Sequence, residues 1–461
     1  MENIVSAFGR SGSKTRQRLA LFSLCLAMLI AQLDTSVVNL AARPIGIYFK
    51  AGVSALQWVV DGYNLVYASF VLTGGLLADL KGRRLVLISG ASLFSVASLL
   101  CAGAPNIFIL IAGRALAGLG AAFLIPASLA IIRVMWPDPA ERGRVLGIWA
   151  SCNGLAVAIG PALGGILIQH FGWRSIFLLV VPLGLLAMVL ARLVIPDSSD
   201  PQDRHFDGLA QWLGAATLGG LAFAAIQLHT APDVALEAMI AAALTFAWFI
   251  RVERRRGAAA LVPLDLFRIH QFRSAMIATT GMTFGMYGVL FLLPLTWQSV
   301  GRLGATFAGL ALMPMALVFM LVSPFSEILT RRLGVRLITS GGVSIIGGGL
   351  LLIGLTSDRT SLLGAEIGLA LTGLGMGLAT GPLMGMAVGA VTAARAGTAS
   401  ALINVARMIG ATLGIACLGA LYGWAHCGQK GLCVAMICGG LVQILSVVLA
   451  FHRRDYARNI A

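Results

Sequence analysis

Charge is what this sequence has least of. Asp, Glu, Lys and Arg make up 11% of its 461 residues, where soluble domains carry roughly 25%. Apolar residues make up 58%, more than a soluble core of this size can use. Equally missing is the chemistry of an enzyme or of an ATP-driven machine. No Walker A glycine loop occurs, so ATP is not the energy source. No His/Cys cluster has the spacing of a metal site, and no polar stretch is long enough for a catalytic domain. The 7 cysteines are scattered, most of them in apolar segments where they read as packing residues. Cys427 and Cys433 flank the loop HCGQKGLC. A disulfide between them is geometrically possible if that loop faces an oxidising compartment.

What is present is a series of apolar windows, each of about 20 residues, long enough to span a bilayer as a helix. They fall at 19–40, 54–78, 85–103, 107–132, 144–168, 174–195, 209–229, 235–250, 274–296, 304–325, 337–356, 361–390, 398–422 and 432–451. Mean hydropathy is +0.91. The net charge of +15 would suit a nucleic-acid partner, but its placement decides otherwise. With a cytoplasmic N-terminus, 25 of the 33 Lys and Arg fall in inner segments and 6 in outer loops, leaving Arg114 and Arg407 inside spans. That is the positive-inside pattern for an even number of spans, with both termini cytoplasmic. The basic first segment has no small-residue cleavage site after span one, which reads as an uncleaved anchor.

Against this apolar background, the ionisable side chains within spans stand out. Asp34 lies in span one within LDTSVVN, with Asn39 following. A carboxylate there costs roughly 2.5–3.5 kcal/mol on insertion scales, so it should face a partner or a cavity. Burial favours its neutral form and a nearby cation its charged form, which suits a group that loads and releases a proton. Arg114 in span four is always charged and needs an anion; Asp34 is the carboxylate expected beside it. In span two, Gln57, Asp61 and Asn64 stand at i, i+4 and i+7, one polar stripe on an apolar helix. Asn404 and Arg407 share a face of span thirteen, with Arg407 about 13 Å from the inner end. Tyr63, Tyr67 and Trp149 are candidate aromatic contacts to a cationic substrate.

Span five carries GLAVAIGPALGG from Gly154 to Gly165, with small residues four apart along it. Such rows let helix backbones approach closely where lipid gives no hydrophobic drive, and Pro161 should kink the helix. Span twelve carries Gly373, Gly377, Gly381, Gly385 and Gly389, a packing ridge by the same argument.

Several of these stretches resemble a known family. Gly154-x5-Gly160-Pro161-x-x-Gly164-Gly165 is similar to the antiporter motif of major facilitator drug/proton exporters. Residues 75–84, GLLADLKGRR, fit that superfamily's G-x-L-A-D-x-x-G-R-R signature, through Gly75, Asp79, Gly82, Arg83 and Arg84. LDTSVVN and QWVVDGY resemble the first two spans of the fourteen-span subgroup typified by methylenomycin A resistance exporters. RALAGLG around Arg114 resembles R-x-x-Q-G-x-G, with Ala117 in place of Gln. GTASALINVAR, from Gly397 to Arg407, is similar to G-x-A-S-x-x-N-x-x-R.

The resemblance implies an all-α polytopic membrane protein of the major facilitator fold. Two six-helix bundles, residues 1–197 and 257–461, would flank an inserted two-helix linker, 198–256. The implied function is proton-coupled antiport: export of small organic compounds, drugs, antibiotics or lipophilic cations, across the cytoplasmic (inner) membrane by alternating access. Asp34, Arg114 and Asp61 would couple protons. Asn39, Gln57, Asn64, Tyr63, Tyr67, Trp149, Asn404 and Arg407 would line the cavity, and Asp79 would form a cytoplasmic charge latch. A carrier of this kind needs no cofactor or metal beyond the proton gradient and works as a monomer, without nucleic acid. The alternatives are an exporter of an endogenous metabolite and a non-transporting sensor on the same fold.

Overall fold

The protein is described by a computed structural model covering residues 14–199, 207–228, 230–257, 260, 262–357, 362–392 and 395–452. Most of the polar run 196–207, expected to close the first bundle, therefore lies outside the described residues. Fourteen helices are long and apolar enough to cross a membrane, and no strand occurs among the described residues. They are α1 (Lys14–Phe49), α2 (Val53–Lys81), α3 (Arg83–Ala102), α4 (Ile107–Met135), α5 (Pro139–Phe171), α6 (Ser175–Val194), α7 (Gly208–Gln227) and α8 (Pro232–Arg256). The second half adds α9 (His270–Ser299), α10 (Ala305–Leu333), α11 (Val335–Thr356), α12 (Leu363–Gly389), α13 (Ala396–Trp424) and α14 (Gly428–Phe451).

Several helices outrun their apolar windows, α1 by both ends, and Pro44 sits within α1 without ending it. Polar caps set other starts. Asn106 accepts from the Ile109 amide at 2.9 Å and Asp138 from Glu141 at 2.8 Å, satisfying first-turn donors. Pro161 lies inside a continuous α5. The interrupted span is α10, whose pieces Ala305–Ala311 and Met313–Val322 are followed by a 3-10 turn at Ser323–Phe325 and a last helix, Ser326–Leu333. Pro314 and Pro324 remove the backbone donors there.

With an even number of spans, both ends of the described chain lie at one face, called here the terminal end; the other is the far end. Helices α1 to α6 pack on one another, as do α9 to α14. Close approach is made by glycine. Gly118 of α4 lies on the Tyr63 backbone and Gly74 of α2 on the Ala122 carbonyl, so α2 and α4 meet almost backbone to backbone. The pair α7–α8 sits beside the seam between halves, with α7 against both α2 and α13. Gln211 of α7 accepts from the Thr73 hydroxyl and donates to the Ser69 carbonyl. Helix α8 is almost wholly exposed.

The halves are joined mainly toward the far end. Gln57 of α2 donates to the Ile415 and Ala416 carbonyls of α13 at 2.8 and 2.9 Å. Gln298 of α9 donates to the Leu40 carbonyl of α1 at 3.1 Å, and Thr306 of α10 to the Gly165 carbonyl of α5, also at 3.1 Å. Gly309 lies on the Pro161 carbonyl. Toward the terminal end of α5, a side chain at Gly147 or Gly154 would meet nothing within 4 Å. Cys427 and Cys433 are both free thiols.

The glycine ridge of α12 divides in the same way. Gly373 abuts the Met315 backbone and Gly377 abuts Val322, whereas Gly385 and Gly389 face open space. With Gly381 and Pro382 they line a cavity of about 760 Å³ at the terminal end of the second half, together with residues of α9, α10, α11 and the end of α14. The ridge expected from sequence is thus a packing surface over its far half only. Gly373→Ala should overpack the α10–α12 contact and cost about 1–3 kcal/mol. Gly385→Ala should leave the detergent-solubilised unfolding midpoint unchanged or slightly raised. Thermal denaturation of the two variants side by side checks this.

Candidate functional site

The centre of the first half is an ion pair. Asp34 on α1 and Arg114 on α4 meet at 2.5 Å, with side chains 3% and 1% exposed. Nothing else in the fold buries two opposite charges so completely among the described residues. The guanidinium is also held from α2 and α6. Its Nε donates to the Val59 carbonyl at 3.0 Å, and its plane lies over the Tyr63 ring at 4.8 Å and the Phe177 ring at 5.9 Å. The Tyr63 hydroxyl donates to the Ala31 carbonyl, 3.2 Å away on α1. Four helices therefore converge on one charge pair. Removing two ions from water costs several kcal/mol each, and the pair repays it only with such geometry. One guanidinium nitrogen, Nη2, has no partner. Ala117, where the family pattern has Gln, is 1% exposed one turn along α4.

The aromatic residues extend this cluster toward the second half. Tyr67 stacks on Tyr63 with centroids 6.3 Å apart and planes 5° from parallel. Arg407 of α13 lies within electrostatic reach of Tyr67 and of Tyr287 on α9. Asn404 accepts from Arg407 Nη1 at 3.4 Å and donates to the Ser400 carbonyl. Sequence reasoning passed over Tyr287, although it is one of only 6 tyrosines and sits mid-span. It also could not see the Val59 carbonyl, a backbone group with no signature.

The other stripe of α2 points elsewhere. Asp61 and Asn64 are fully buried neighbours, with no hydrogen bond of ordinary geometry to either head group. Asp61 lies near Cys417 on α13. Gln57 is spent on the α13 carbonyls described above, so in this arrangement it ties the halves together. Asn39 donates to Thr35 on its own helix at 3.3 Å, its Oδ1 unpaired. Trp149 is buried on α5 with its indole N–H unpaired.

The two glycine motifs are both placed by packing. Gly160 and Gly164 of α5 receive Ser36 and Val37 of α1, while Gly165 and Pro161 receive Ala305 and Gly309 of α10. The antiporter stretch is therefore the strip on which α1 and α10 meet α5. At the loop after α2, Asp79 pairs with Arg83 at 2.9 Å. Gly82 has φ +106° and would push a Cβ to 2.8 Å from Asp197. Arg84 donates to the Ile195 carbonyl, and the Arg83 amide to the Ser198 carbonyl. This signature is thus anchored to the residues following α6. Gly75, at the start of the signature, lies against Pro126 of α4.

The sequence model of the Major Facilitator Superfamily matches residues 24–415. The chain is 34% identical to the multidrug resistance protein Stp of Mycobacterium tuberculosis, over 88% of this chain and 76% of that protein. It is 32% identical to the methylenomycin A resistance protein of Bacillus subtilis, over 94% and 93% respectively. The multidrug efflux pump LfrA of Mycolicibacterium smegmatis is 32% identical, over 88% and 81%.

The buried pair sets one expectation. Arg114→Met strands a carboxylate in the core and should cost about 3–5 kcal/mol. The double variant Asp34→Asn with Arg114→Met should recover much of that loss. Unfolding midpoints of the purified proteins read both; a single variant as stable as the unaltered protein would contradict the account.

Proposed function

The chain belongs to the Major Facilitator Superfamily, and on that premise we propose that it exports small organic compounds, antibiotics among them, in exchange for protons. The observation that carries the reading is the Asp34–Arg114 pair, an ionisable couple held in the membrane interior where α1, α2, α4 and α6 meet. The names of the relatives, multidrug resistance, antibiotic resistance and efflux, support export of such compounds. The weight of Lys and Arg supports a cytoplasmic terminal end in the cell's inner membrane.

The mechanism follows from charge balance. While Asp34 is ionised, it holds Arg114 and the helices that touch it. Protonation neutralises the carboxyl, weakens the pair and frees Arg114 to turn toward water or cargo. Movement at this joint reaches the second half through Tyr63 and Tyr67, and through α5, whose glycines bear on both α1 and α10. Opening toward the far end requires breaking the Gln57, Gln298 and Thr306 hydrogen bonds. Rocking of one half against the other would do this. Asp61, buried against α13, is a second proton-binding group on the same seam, and Asp79 with Arg83 and Arg84 steadies the terminal side. The driving force is sufficient: each proton supplies about 2.3 kcal/mol per 100 mV plus about 1.4 kcal/mol per pH unit. The carrier then functions as a monomer with no bound cofactor.

Efflux of a fluorescent substrate from cells should stop on adding a protonophore, and Asp34→Asn should cut it at least tenfold. Proton release from the purified protein on adding substrate should vanish in the same variant. Pumping that is undiminished in Asp34→Asn would overturn the proposal.

A further inference from the structure

Arg407 is a cation that this mechanism leaves without a role. It stands in the interior of α13, and a guanidinium there must be served by an anion or by water. Its Nε is enclosed and has no hydrogen-bond partner. Among the described residues no carboxylate lies within ion-pairing distance of it. The sequence explains why. From residue 262 onward the acids are Asp265, Glu327, Asp358, Glu366 and Asp455, and none falls in the middle of a span. Asp34 is taken by Arg114. Asp61 lies near Cys417, ten residues along α13 from Arg407, which is about 15 Å of helix rise.

The surrounding aromatics make the same point from the other side. A cationic cargo would want free π-faces. Tyr63 already carries Arg114 on its ring, and both Tyr67 and Tyr287 lie within electrostatic reach of Arg407. These three tyrosines therefore sit in the field of a fixed cation, which disfavours a second one there. Phenol hydroxyls and the Asn404 amide are instead suited to complete the hydrogen bonding of an anion already drawn to a guanidinium. Arginine binds carboxylates through two parallel donors, which gives direction as well as strength.

We propose that Arg407, with Asn404, Tyr67 and Tyr287, is the seat for a negatively charged group on the transported compound. The cargo is an organic anion, a carboxylate or phenolate. That it is transported rests on the export reading above; that it binds does not. One consequence is electrical. A monoanion leaving as one proton enters moves two charges in the same direction per cycle, whereas exchange of a monocation for one proton moves none.

The test uses the full-length protein in detergent and three probes of matched size: naphthalene-2-carboxylate, its neutral amide and N-methylquinolinium. Equilibrium dialysis should show the carboxylate bound at least tenfold more tightly than either other probe. Arg407→Gln should bring it to within threefold of the amide, with an unfolding midpoint and a monodisperse elution profile like the unaltered protein's showing the variant to be folded. Arg407→Lys should restore part of the preference. Equal affinities for the three probes, no binding of the carboxylate, or a preference that survives Arg407→Gln would overturn the proposal. Because no gradient is present, a protein that keeps the carboxylate preference but fails to couple efflux to protons would refute the exchange reading alone.

Discussion

An ion pair in the interior of a membrane protein constrains everything that touches it. Both side chains are almost wholly removed from solvent, so each charge must be answered by protein, and the answer at Asp34 and Arg114 draws on four helices. The carboxylate comes from α1 and the guanidinium from α4. A main-chain carbonyl and a ring face come from α2, and a second ring from α6. None of these can shift far without exposing a charge to hydrocarbon. The tight α2–α4 seam, built on Gly74 and Gly118, brings the Val59 carbonyl and the Tyr63 ring within reach of Arg114. Packing by small residues and the placement of charge are here one device.

The two halves are joined differently. No ion pair described in the structure crosses between α1–α6 and α9–α14. What crosses is a few hydrogen bonds and glycine contacts, gathered toward the far end and on the α5–α10 strip. A seam of that kind joins the halves by contacts that are each individually weak. The same contrast runs along α12, whose glycines are packed at one end and open at the other. Helix α10 is cut into short pieces by its prolines beside that opening. Deformable backbone and unfilled volume thus coincide.

Much of this was legible in the sequence, for identifiable reasons. Apolar length marks spans directly. Asp34 and Arg114 could be paired on paper because each is intolerable alone in a membrane. The antiporter glycines declared a close-packed strip, although not that it would serve α1 and α10 together. Other features left no trace. Gln57 looked like cavity lining, since a polar side chain on a membrane helix gives no hint that its partners are carbonyls on a helix 358 residues away. Gln211 was passed over on α7 for the same reason. The split of the α12 ridge was hidden because five equal spacings read alike, and only the third dimension distinguishes those with a neighbour.

The Gln57 bridge has a consequence for how this protein can change over time. Its acceptors are the main-chain oxygens of Ile415 and Ala416, which every amino acid supplies. The bridge takes nothing from the side chains at those two positions, which are buried for their own packing, whereas almost any exchange of the glutamine removes both bonds at once. The dependence is one-sided. A search for correlated substitutions would pass over this junction, even though it is one of the few hydrogen-bonded links between the two halves.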